Sequence, residues 1–271
     1  SIGINAFQCC SHLKSITLPS ALTTIGNEAF RYTGLTSISI PASVTSIGVA
    51  EFQDCGSMTS ITIEDSETPL TMPGSWYERP FWITASTIYI GRDLTLTGEG
   101  NNPLLYEATS VEFGPKVTTI NPNLFQGCAS LSNINMTNAT SLISIGAYAF
   151  DGAGNGDSVD ELTVTLGSSL TTIGERAFNN CDKINTITIP ASVTTIEANA
   201  FWNMEGDLNL TIEDSETPLT INAEDSYCPI FEYKNITGYI GRNILRTGYY
   251  ENEPVFNTSS SYQHNLTFGP M

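Results

Sequence analysis

The sequence repeats one short pattern, and this repeat limits the possible folds more than any other feature does. The pattern is Ile-Gly-x-x-Ala-Phe or a close variant, and it begins at Ile2, Ile25, Ile47, Ile120, Ile145, Ile173 and Ile196. The first three copies form one group and the last four form another, and within each group neighbouring copies are 22 to 28 residues apart. A period of this length with apolar residues at fixed positions is typical of a solenoid. One copy is too short to bury its own Ile, Leu and Phe side chains, so stacked copies must bury them together.

A second pattern follows most copies about ten residues later and predicts a β-strand. Apolar residues alternate with polar ones, as in Leu35-x-x-Ile38-x-Ile40, and the segment Leu13 to Leu18 is the first example. Alternation in a strand directs successive side chains to opposite faces, so the apolar set points inward. We count about eleven such segments. The predicted fold is a β-rich solenoid with a single parallel sheet of about eleven short strands, and with short helical or 3-10 turns and loops on the back.

The two halves of the chain repeat each other on a larger scale. The sequence ITIEDSETPLT at Ile61 to Thr71 returns nearly unchanged at Leu210 to Thr220. The sequence Tyr-Ile-Gly-Arg occurs at 89–92 and again at 239–242. We therefore predict one solenoid domain over residues 1–271 that is made of two tandem modules. The first module covers roughly residues 2–116 and the second covers 117–271.

These repeats resemble the leucine-rich repeats of BspA-like bacterial surface proteins, whose turns follow LxxIxIPxSVTxIGxxAFxxCxx. The segments Pro41 to Gly48 and Pro190 to Ile196 match that pattern closely, and the likeness covers nearly the whole chain. The resemblance implies a leucine-rich-repeat fold, surface display, and attachment to host or neighbouring cells. It implies no catalytic residue, because the family is defined by its repeats.

The composition excludes several classes of partner. The chain has 10 Lys and Arg against 28 Asp and Glu, a formal net charge of −18. Nucleic acids and anionic membranes bind through clustered cations, so both are poor partners. No run approaches the roughly 18 apolar residues of a membrane span. The resemblance implies an exported bacterial protein at the cell surface or outside the cell, and we expect it to be a monomer. Because the chain opens inside a repeat, we expect its targeting segment to lie outside these residues.

The exposed strand face is the main candidate for binding. Each predicted strand has one outward-facing residue at its centre. From the first strand to the last, these residues are Thr17, Ser39, Thr62, Tyr89, Glu112, Asn135, Thr163, Thr188, Thr211, Tyr239 and Thr267. Threonine is a good strand former on any wet face, so a purely structural role is the plain alternative. Because Tyr and Arg are effective interface anchors, we select Tyr89, Arg92, Glu112, Tyr239 and Arg242 as candidate partner-binding residues. The aromatic residues from Trp76 to Trp82 form a second possible contact or cover the core under a loop.

The acidic segments are less informative. Glu64-Asp65-Ser66-Glu67 and Glu213-Asp214-Ser215-Glu216 could supply paired carboxylates, but each follows a strand and precedes Thr-Pro, which is ordinary turn chemistry. The segment Asp151 to Glu161 half resembles a calcium loop, yet Ala153 occupies its third position and Glu161 falls one short of the twelfth. We predict no metal and no cofactor.

The cysteines and histidines also favour a structural role. Cys10, Cys55, Cys128 and Cys181 occupy one repeat position, three residues after the Phe, and we expect a buried column of free thiols. Cys9 and Cys228 do not occupy this repeat position, and the sequence does not decide whether either of them forms a disulfide. Neither His12 nor His264 belongs to a catalytic motif.

We therefore predict a non-catalytic adhesion or binding protein that presents its polar face to a protein of the host or extracellular matrix, or to a glycan. A glycan-binding or glycan-processing accessory protein and a structural spacer are the alternatives.

Overall fold

In the computed structural model, the chain forms short parallel β-strands joined by turns. The structure describes residues 1–74, 81, 86–97, 108–204, 206–222, 231, 235–247, 255 and 263–269. The strands are β1 (Thr24–Ile25), β2 (Ser37–Ile40), β3 (Ser46–Ile47), β4 (Ser60–Ile63), β5 (Leu70–Pro73), β6 (Thr87–Arg92), β7 (Leu94–Thr97), β8 (Ser110–Lys116), β9 (Thr119–Ile120), β10 (Asn133–Asn135), β11 (Ser144–Ile145), β12 (Thr163–Thr165), β13 (Thr172–Ile173), β14 (Thr186–Ile189), β15 (Thr195–Ile196), β16 (Asp207–Ile212), β17 (Leu219–Asn222), β18 (Asn235–Ile240), β19 (Ile244–Thr247) and β20 (Gln263–Phe268).

The strands stack in two series, one from each side of every coil. We call the even-numbered strands, β2 to β20, the front series, and the odd-numbered strands, β1 to β19, the back series. The front series forms a six-stranded sheet, β2-β4-β6-β8-β10-β12, and a four-stranded sheet, β14-β16-β18-β20. The back series forms a four-stranded sheet, β1-β3-β5-β7, and a six-stranded sheet, β9-β11-β13-β15-β17-β19. All pairs are parallel, and each strand pairs with the strand one coil away, as a leucine-rich-repeat solenoid requires.

The leucine-rich-repeat fold is confirmed, while the predicted number of sheets is wrong. A single sheet of about eleven strands was expected, and the structure divides ten front strands between two sheets. Residues 13–18, the expected first strand, form no strand. The back series was not predicted, because most of its strands have only two residues and show no alternation.

The core is a continuous column of apolar side chains that runs through the stack. Every repeat contributes a Phe ring, and most neighbouring rings stack face to face. Ring centroids are 5.2 Å apart for Phe7 and Phe30, 5.5 Å for Phe30 and Phe52, and 5.2 Å for Phe150 and Phe178. Phe30 and Phe178 are fully buried, in agreement with the prediction that successive coils cover one another. Burying a Phe side chain contributes about 1.5–3 kcal/mol, so this column is a major source of stability.

The cysteine column is confirmed except at its first member. Cys55, Cys128 and Cys181 are buried and form no disulfide, and the Cys55 Sγ lies 3.2 Å from the Thr33 Oγ1 of the preceding coil. Burial raises the pKa of the Cys55 and Cys181 thiols. Cys10 is exposed, and the described residues place a coil against one side of it only. Cys228 lies outside the described residues.

The turns on the back that the structure describes are not helical, which corrects the prediction of short helical or 3-10 turns. In most copies the residues two before and two after the buried Phe have a positive φ, as at Arg176 (51°) and Asn180 (55°) around Phe178. A left-handed residue interrupts any right-handed helical turn, so alternation of the two conformations keeps this segment coiled without a helix. No part of the chain that the structure describes forms a helix able to cross a membrane.

Candidate binding face

The front series presents two parallel rows of polar side chains. The strand register brings the first outward residues into one row, which consists of Ser37, Ser60, Thr87, Ser110, Asn133 and Thr163, then Thr186, Asn209, Thr237 and Asn265. The second row consists of Ser39, Thr62, Tyr89, Glu112, Asn135 and Thr165, then Thr188, Thr211, Tyr239 and Thr267. Neighbouring strands are about 4.8 Å apart, so each row repeats a hydroxyl, amide or larger polar group at that spacing. The predicted second row is correct from Ser39 onward except that Thr165 replaces Thr163.

Tyr89 and Tyr239 lie at equivalent points of the second row and are held in the same way. The Tyr89 hydroxyl donates to the Asp65 Oδ1 over 2.8 Å, and the Tyr239 hydroxyl donates to the Asp214 Oδ1 over 2.7 Å. Burial, together with the hydrogen bond to Asp65, raises the pKa of Tyr89 to about 12. The acidic turns therefore fix two aromatic rings on the front face, and these rings are only half-buried.

Glycine makes this arrangement possible. A Cβ built on Gly114 would lie 2.3 Å from the Tyr89 hydroxyl oxygen, and one on Gly269 would lie 2.3 Å from that of Tyr239. Real atoms do not approach so closely, so only glycine leaves room for each ring. Each of these glycines follows a phenylalanine, in Phe113-Gly114 and in Phe268-Gly269, so this recurring dipeptide is part of the tyrosine site.

Glu112 stays on the front face, next to Tyr89 in the second row. Its Oε1 accepts a hydrogen bond of 2.9 Å from the Asn138 Nδ2. The carboxylate is half-buried and oriented by this contact. It therefore presents a fixed negative charge beside one of the two tyrosines.

Arg92 and Arg242 do not lie on this face, which corrects their selection as partner contacts. Arg92 is fully buried and donates to the carbonyl oxygens of Pro41, Ala42 and Val44 over 2.8–2.9 Å. Arg242 is 3% exposed and makes equivalent contacts one module later, with the carbonyl oxygens at 190 and 191. Burial lowers the pKa of both guanidinium groups. Each arginine connects its own coil to the Pro-Ala-Ser-Val turn two coils earlier.

The first glutamate of each acidic segment contacts the same turn from outside. The Glu64 Oε2 accepts from the Ala42 N–H over 3.2 Å, and the Ser39 hydroxyl donates to its Oε1 over 2.7 Å. The Glu213 Oε2 accepts from the Ala191 N–H over 2.9 Å. This geometry agrees with the prediction of turn chemistry.

Sequence analysis missed a cleft at the break between the two front sheets. The cleft has a volume of about 360 Å³ and lies between β12 and β14. Its lining consists of Glu161, Thr163, Val164, Thr165, Leu166, Ser168, Thr186, Ile187, Thr188, Pro190 and Glu213. The one available signal was the 28-residue step from Ile145 to Ile173, which marks the coil that contains β12.

Among the residues that the structure describes, the remaining candidates form no site. Asp151 in the calcium-like segment instead accepts hydrogen bonds from Gln126 and Asn179 of adjacent coils, over 2.9 and 2.6 Å. Within the described ranges, no group of three or more His, Cys, Asp or Glu side chains is placed to hold a metal ion. Phe81 is buried in the core, while the other aromatic residues of the patch, Trp76, Tyr77 and Trp82, lie outside the described residues.

Comparison with known proteins agrees with this architecture. Six copies of the BspA type leucine rich repeat region match residues 1–72 and 105–223. No curated protein matches the chain.

Several solved structures are similar. A leucine-rich repeat protein from Bacteroides ovatus is 18% identical with a TM-score of 0.43, over 98% of this chain and 75% of that one. A leucine rich cell surface protein from Faecalibacterium prausnitzii is 20% identical with a TM-score of 0.36, over 98% and 57%. The pneumococcal vaccine antigen PcpA is 16% identical with a TM-score of 0.33, over 91% and 66%. The chain thus spans 57–75% of the length of these three proteins.

The repeated Ile-Gly-x-x-Ala-Phe turns, the stacked Phe rings and the match of the repeat model to most of the residues together establish that this chain belongs to the family of proteins with BspA type leucine rich repeats.

Proposed function

We propose that this protein is a non-catalytic adhesion protein of the bacterial cell surface, which binds a protein partner or a glycan through its front face. The observation that carries the proposal is the pair of polar rows, which repeat at strand spacing and contain half-buried Tyr89 and Tyr239. Hydroxyl and amide groups donate and accept hydrogen bonds, and tyrosine combines apolar area with a polar end. Surface display is the location that the family resemblance implies.

The rigidity of the face supports this proposal. The apolar residues between the polar ones, such as Ile61 and Leu210, are buried, so the main chain beneath the rows is fixed. The tyrosine rings are held by Asp65 and Asp214 before any partner arrives. A preorganised surface loses less conformational entropy on binding, and therefore retains more of its contact energy as affinity.

Arginine substitutions on the front face test the proposal. Thr62→Arg combined with Thr211→Arg places two large charged side chains in the second row, next to Tyr89 and Tyr239. The matched control is Thr95→Arg with Thr119→Arg, which adds the same charge at exposed positions of the back series. The parent protein and both variants are applied to an array of extracellular-matrix proteins and glycans.

We expect the parent and the control to bind the same array members, and the front-face variant to lose at least tenfold in affinity for them. Binding to matrix proteins would support protein attachment, and binding to glycans alone would support the glycan form of the proposal. Equal loss in both variants would show that the front face is not the binding surface and would overturn the proposal. Failure of both the parent and the control to bind any array member would leave a structural spacer as the function.

A further inference from the structure

The break between the two front sheets brings part of the core to the surface. Ile134 and Met136, which face inward in the coil of β10, are completely buried. The equivalent residues of the next coil, Val164 and Leu166, are 8% and 9% exposed and line the cleft. Since β12 forms a ladder with β10 but none with β14, one edge of these apolar side chains is left uncovered. The floor of the cleft is therefore apolar.

Hydroxyl side chains surround this floor. Thr163 and Thr165 belong to one side and Thr186 and Thr188 to the other, while Ser168 follows β12 at one end. All five residues are exposed. A ligand that lies on the floor therefore meets hydrogen-bonding groups on both sides.

The cleft is narrow. The Leu162 N–H donates to the Lys183 oxygen over 2.8 Å, so the coils of β12 and β14 stay in contact and leave no space for a further strand between them. The volume of about 360 Å³ lies near the lower limit of ligand pockets, which is roughly 300 Å³. The occupant is therefore one side chain or a small molecule, and not a length of main chain.

The carboxylates of the lining give the cleft a charge preference. Glu161 lies before β12 and Glu213 lies after β16, so they flank opposite ends of the cleft. Neither forms an ion pair with any described residue, and the described lining contains neither a cation nor an aromatic ring. The absence of a ring removes the stacking surface that a sugar would use. A basic side chain suits this lining, because it combines an apolar stem with a positively charged end.

Comparison of the two modules shows that Glu213 is available for such a ligand. In the first module the Ser39 hydroxyl donates to the Glu64 Oε1, and the Ala42 N–H donates to the other oxygen. In the second module the Ala191 N–H donates to the Glu213 Oε2, while the described contacts give the Oε1 no equivalent of the Ser39 bond. One oxygen of Glu213 is thus held by the turn, and the other is left for a ligand.

This single open oxygen favours lysine over arginine. A guanidinium group pairs best with both oxygens of a carboxylate, and the Glu213 Oε2 already accepts from the Ala191 N–H. An ammonium group is a compact charge with three donors. It therefore binds the Oε1 and still has donors for the hydroxyl groups of Thr188 and Ser168, which belong to the same lining.

We propose that the cleft receives a single lysine side chain of a protein partner. The stem of the lysine lies on Val164 and Leu166, and its ammonium group binds Glu213. This inference rests on the proposed adhesive function, and it narrows the partner to a protein that presents an exposed lysine to the middle of the front face.

Small lysine analogues test the chemistry of the cleft. The probe is N-acetyl-lysine N-methylamide, titrated into the isotope-labelled full chain in 0.15 M salt and followed by the amide chemical shifts of Leu166, Ser168 and Thr188. The norleucine analogue lacks the amine, the diaminopropionate analogue carries the amine on a stem of one carbon, and the arginine analogue carries a guanidinium group. We expect the lysine compound to saturate the site. The norleucine and diaminopropionate compounds should bind at least fivefold more weakly, and the arginine compound at least threefold more weakly.

Matched substitutions test the place of binding. Glu213→Gln keeps an oxygen for the Ala191 N–H but removes the charge, and Glu64→Gln makes the same change at the occupied counterpart. We expect Glu213→Gln to weaken the lysine compound at least fivefold and Glu64→Gln to leave its affinity within twofold. Thermal unfolding of both variants checks that the fold is intact.

Several results would overturn the inference: no saturable binding of the lysine compound, equal affinities of the lysine compound and any of its three analogues, or equal effects of the two glutamine substitutions. Equal binding of the diaminopropionate compound, in particular, would show attraction to charge without use of the apolar floor.

The array of matrix proteins and glycans separates this inference from the proposed function. If the front-face variant loses the array partner while Glu213→Gln keeps it, the cleft inference fails and the proposed function stands. If the lysine compound binds as expected but no array member binds the parent protein, the proposed function fails and the lysine site stands.

Discussion

At the scale of single residues, the left-handed positions show how strongly the stack controls the local conformation. Asn5, Asn123 and Asn199 occupy the position two residues before the Phe, where asparagine is tolerated at positive φ. Tyr148 and Arg176 occupy the same position with φ of 57° and 51°. Such residues cost roughly 1–2 kcal/mol in this region. Packing and hydrogen bonds between coils must offset that cost. The backbone conformation at these positions is therefore determined by the neighbouring coils more than by the residue type.

Glu51 is the one residue that replaces Ala in an otherwise regular copy of the repeat pattern. It is fully buried, its Oε1 accepts from the Gly48 N–H, and its Oε2 has no hydrogen-bond partner among the described residues. Burial raises the pKa of this carboxyl to about 8, from an ordinary value of 4.5. The native protein therefore holds a proton on Glu51 at neutral pH that the unfolded chain has already released.

This proton makes the stability depend on pH. Because the folded pKa is the higher one, the free energy of unfolding falls as the pH rises from about 4.5 to about 8, with a slope of up to roughly 1.4 kcal/mol per pH unit. We expect Glu51→Gln to remove this part of the slope, and Glu51→Ala, which restores the repeat residue, to do the same. Urea unfolding at pH 5, 6, 7 and 8 measures it. Slopes that match between the parent and both variants would contradict a protonated Glu51.

Residue type alone could not decide where the repeated arginines lie. Tyr89 and Arg92 belong to one recurring motif, and both were selected as surface anchors. The tyrosine is on the front face, but Arg92 lies beyond the bulge that follows Ile90 and is turned into the interior. Its partners are carbonyl oxygens about 50 residues earlier in the chain, and no local pattern indicates them.

At the scale of elements, the back series has its own break, and one side chain bridges it. The strands β7 and β9 do not pair. Instead, the Asp93 Oδ1 accepts from the N–H groups of Thr118 and Thr119 over 2.7 and 3.2 Å, and its Oδ2 accepts from the Thr118 hydroxyl over 2.5 Å. A carboxylate thus takes the place that carbonyl oxygens occupy between other coils.

Removal of that carboxylate should weaken the connection between these coils. We expect Asp93→Ala to lower the free energy of unfolding by about 2–4 kcal/mol, since it leaves several donors without their charged acceptor. Asp93→Asn keeps one acceptor oxygen and should cost less. The matched control is Asn243→Ala at the equivalent exposed position of the second module, where we expect a change below about 0.5 kcal/mol. Urea unfolding compares the variants, and equal losses at the two positions would show that the bridge is unimportant.

The elements that could be predicted from sequence are those with a strong local pattern. The alternation at Leu35 to Ile40 predicted strand β2 and its inward face, and the recurrence of the repeats at similar spacing predicted parallel stacking. The two-residue back strands, such as Thr172–Ile173, are too short to alternate. The position of a break in a sheet depends on whether the strands of two successive coils are close enough to form main-chain hydrogen bonds. The sequence of either coil alone does not contain that information, and therefore the cleft was missed.

At the scale of the whole molecule, the column of Phe rings stabilises the folded chain, while the negative surface charge destabilises it. The net charge is −18, and the ion pairs seen include an exposed one between Lys116 and Glu67 at 2.6 Å. Exposed pairs of this kind contribute little. Repulsion among the excess carboxylates should therefore destabilise the folded stack, because folding brings them closer together than they are in the unfolded chain.

Screening of this repulsion should raise the melting temperature. We expect Tm to increase by several degrees between 10 and 300 mM sodium chloride, because about 1 kcal/mol corresponds to roughly 2–4 °C in a chain of this size. Scanning calorimetry measures the shift, and tetramethylammonium chloride serves as a control for selective sodium binding. A Tm that falls with added salt would show that attractive pairs outweigh repulsion.

The division into two modules remains a prediction from the sequence repeat, but the contacts that recur in each module follow the same spacing. Arg92 reaches the turn at 41–44, and Arg242 reaches the turn at 190–191. The tyrosine, aspartate and glycine contacts recur in the same way. The sequence repeat thus predicts where the contacts recur, and the structure shows which atoms form them.

The reach of these arginines has a consequence for how such a chain can change in length. Loss of the single coil between an arginine and its turn would bring a guanidinium group into the interior without the oxygens that it needs, and the cost of that unpaired charge is high. Genetic gain or loss of one coil at this place is therefore unfavourable. Duplication of the complete block, with arginine and turn copied together, carries no such penalty, and both the arginine and its turn recur together in the second half of this sequence.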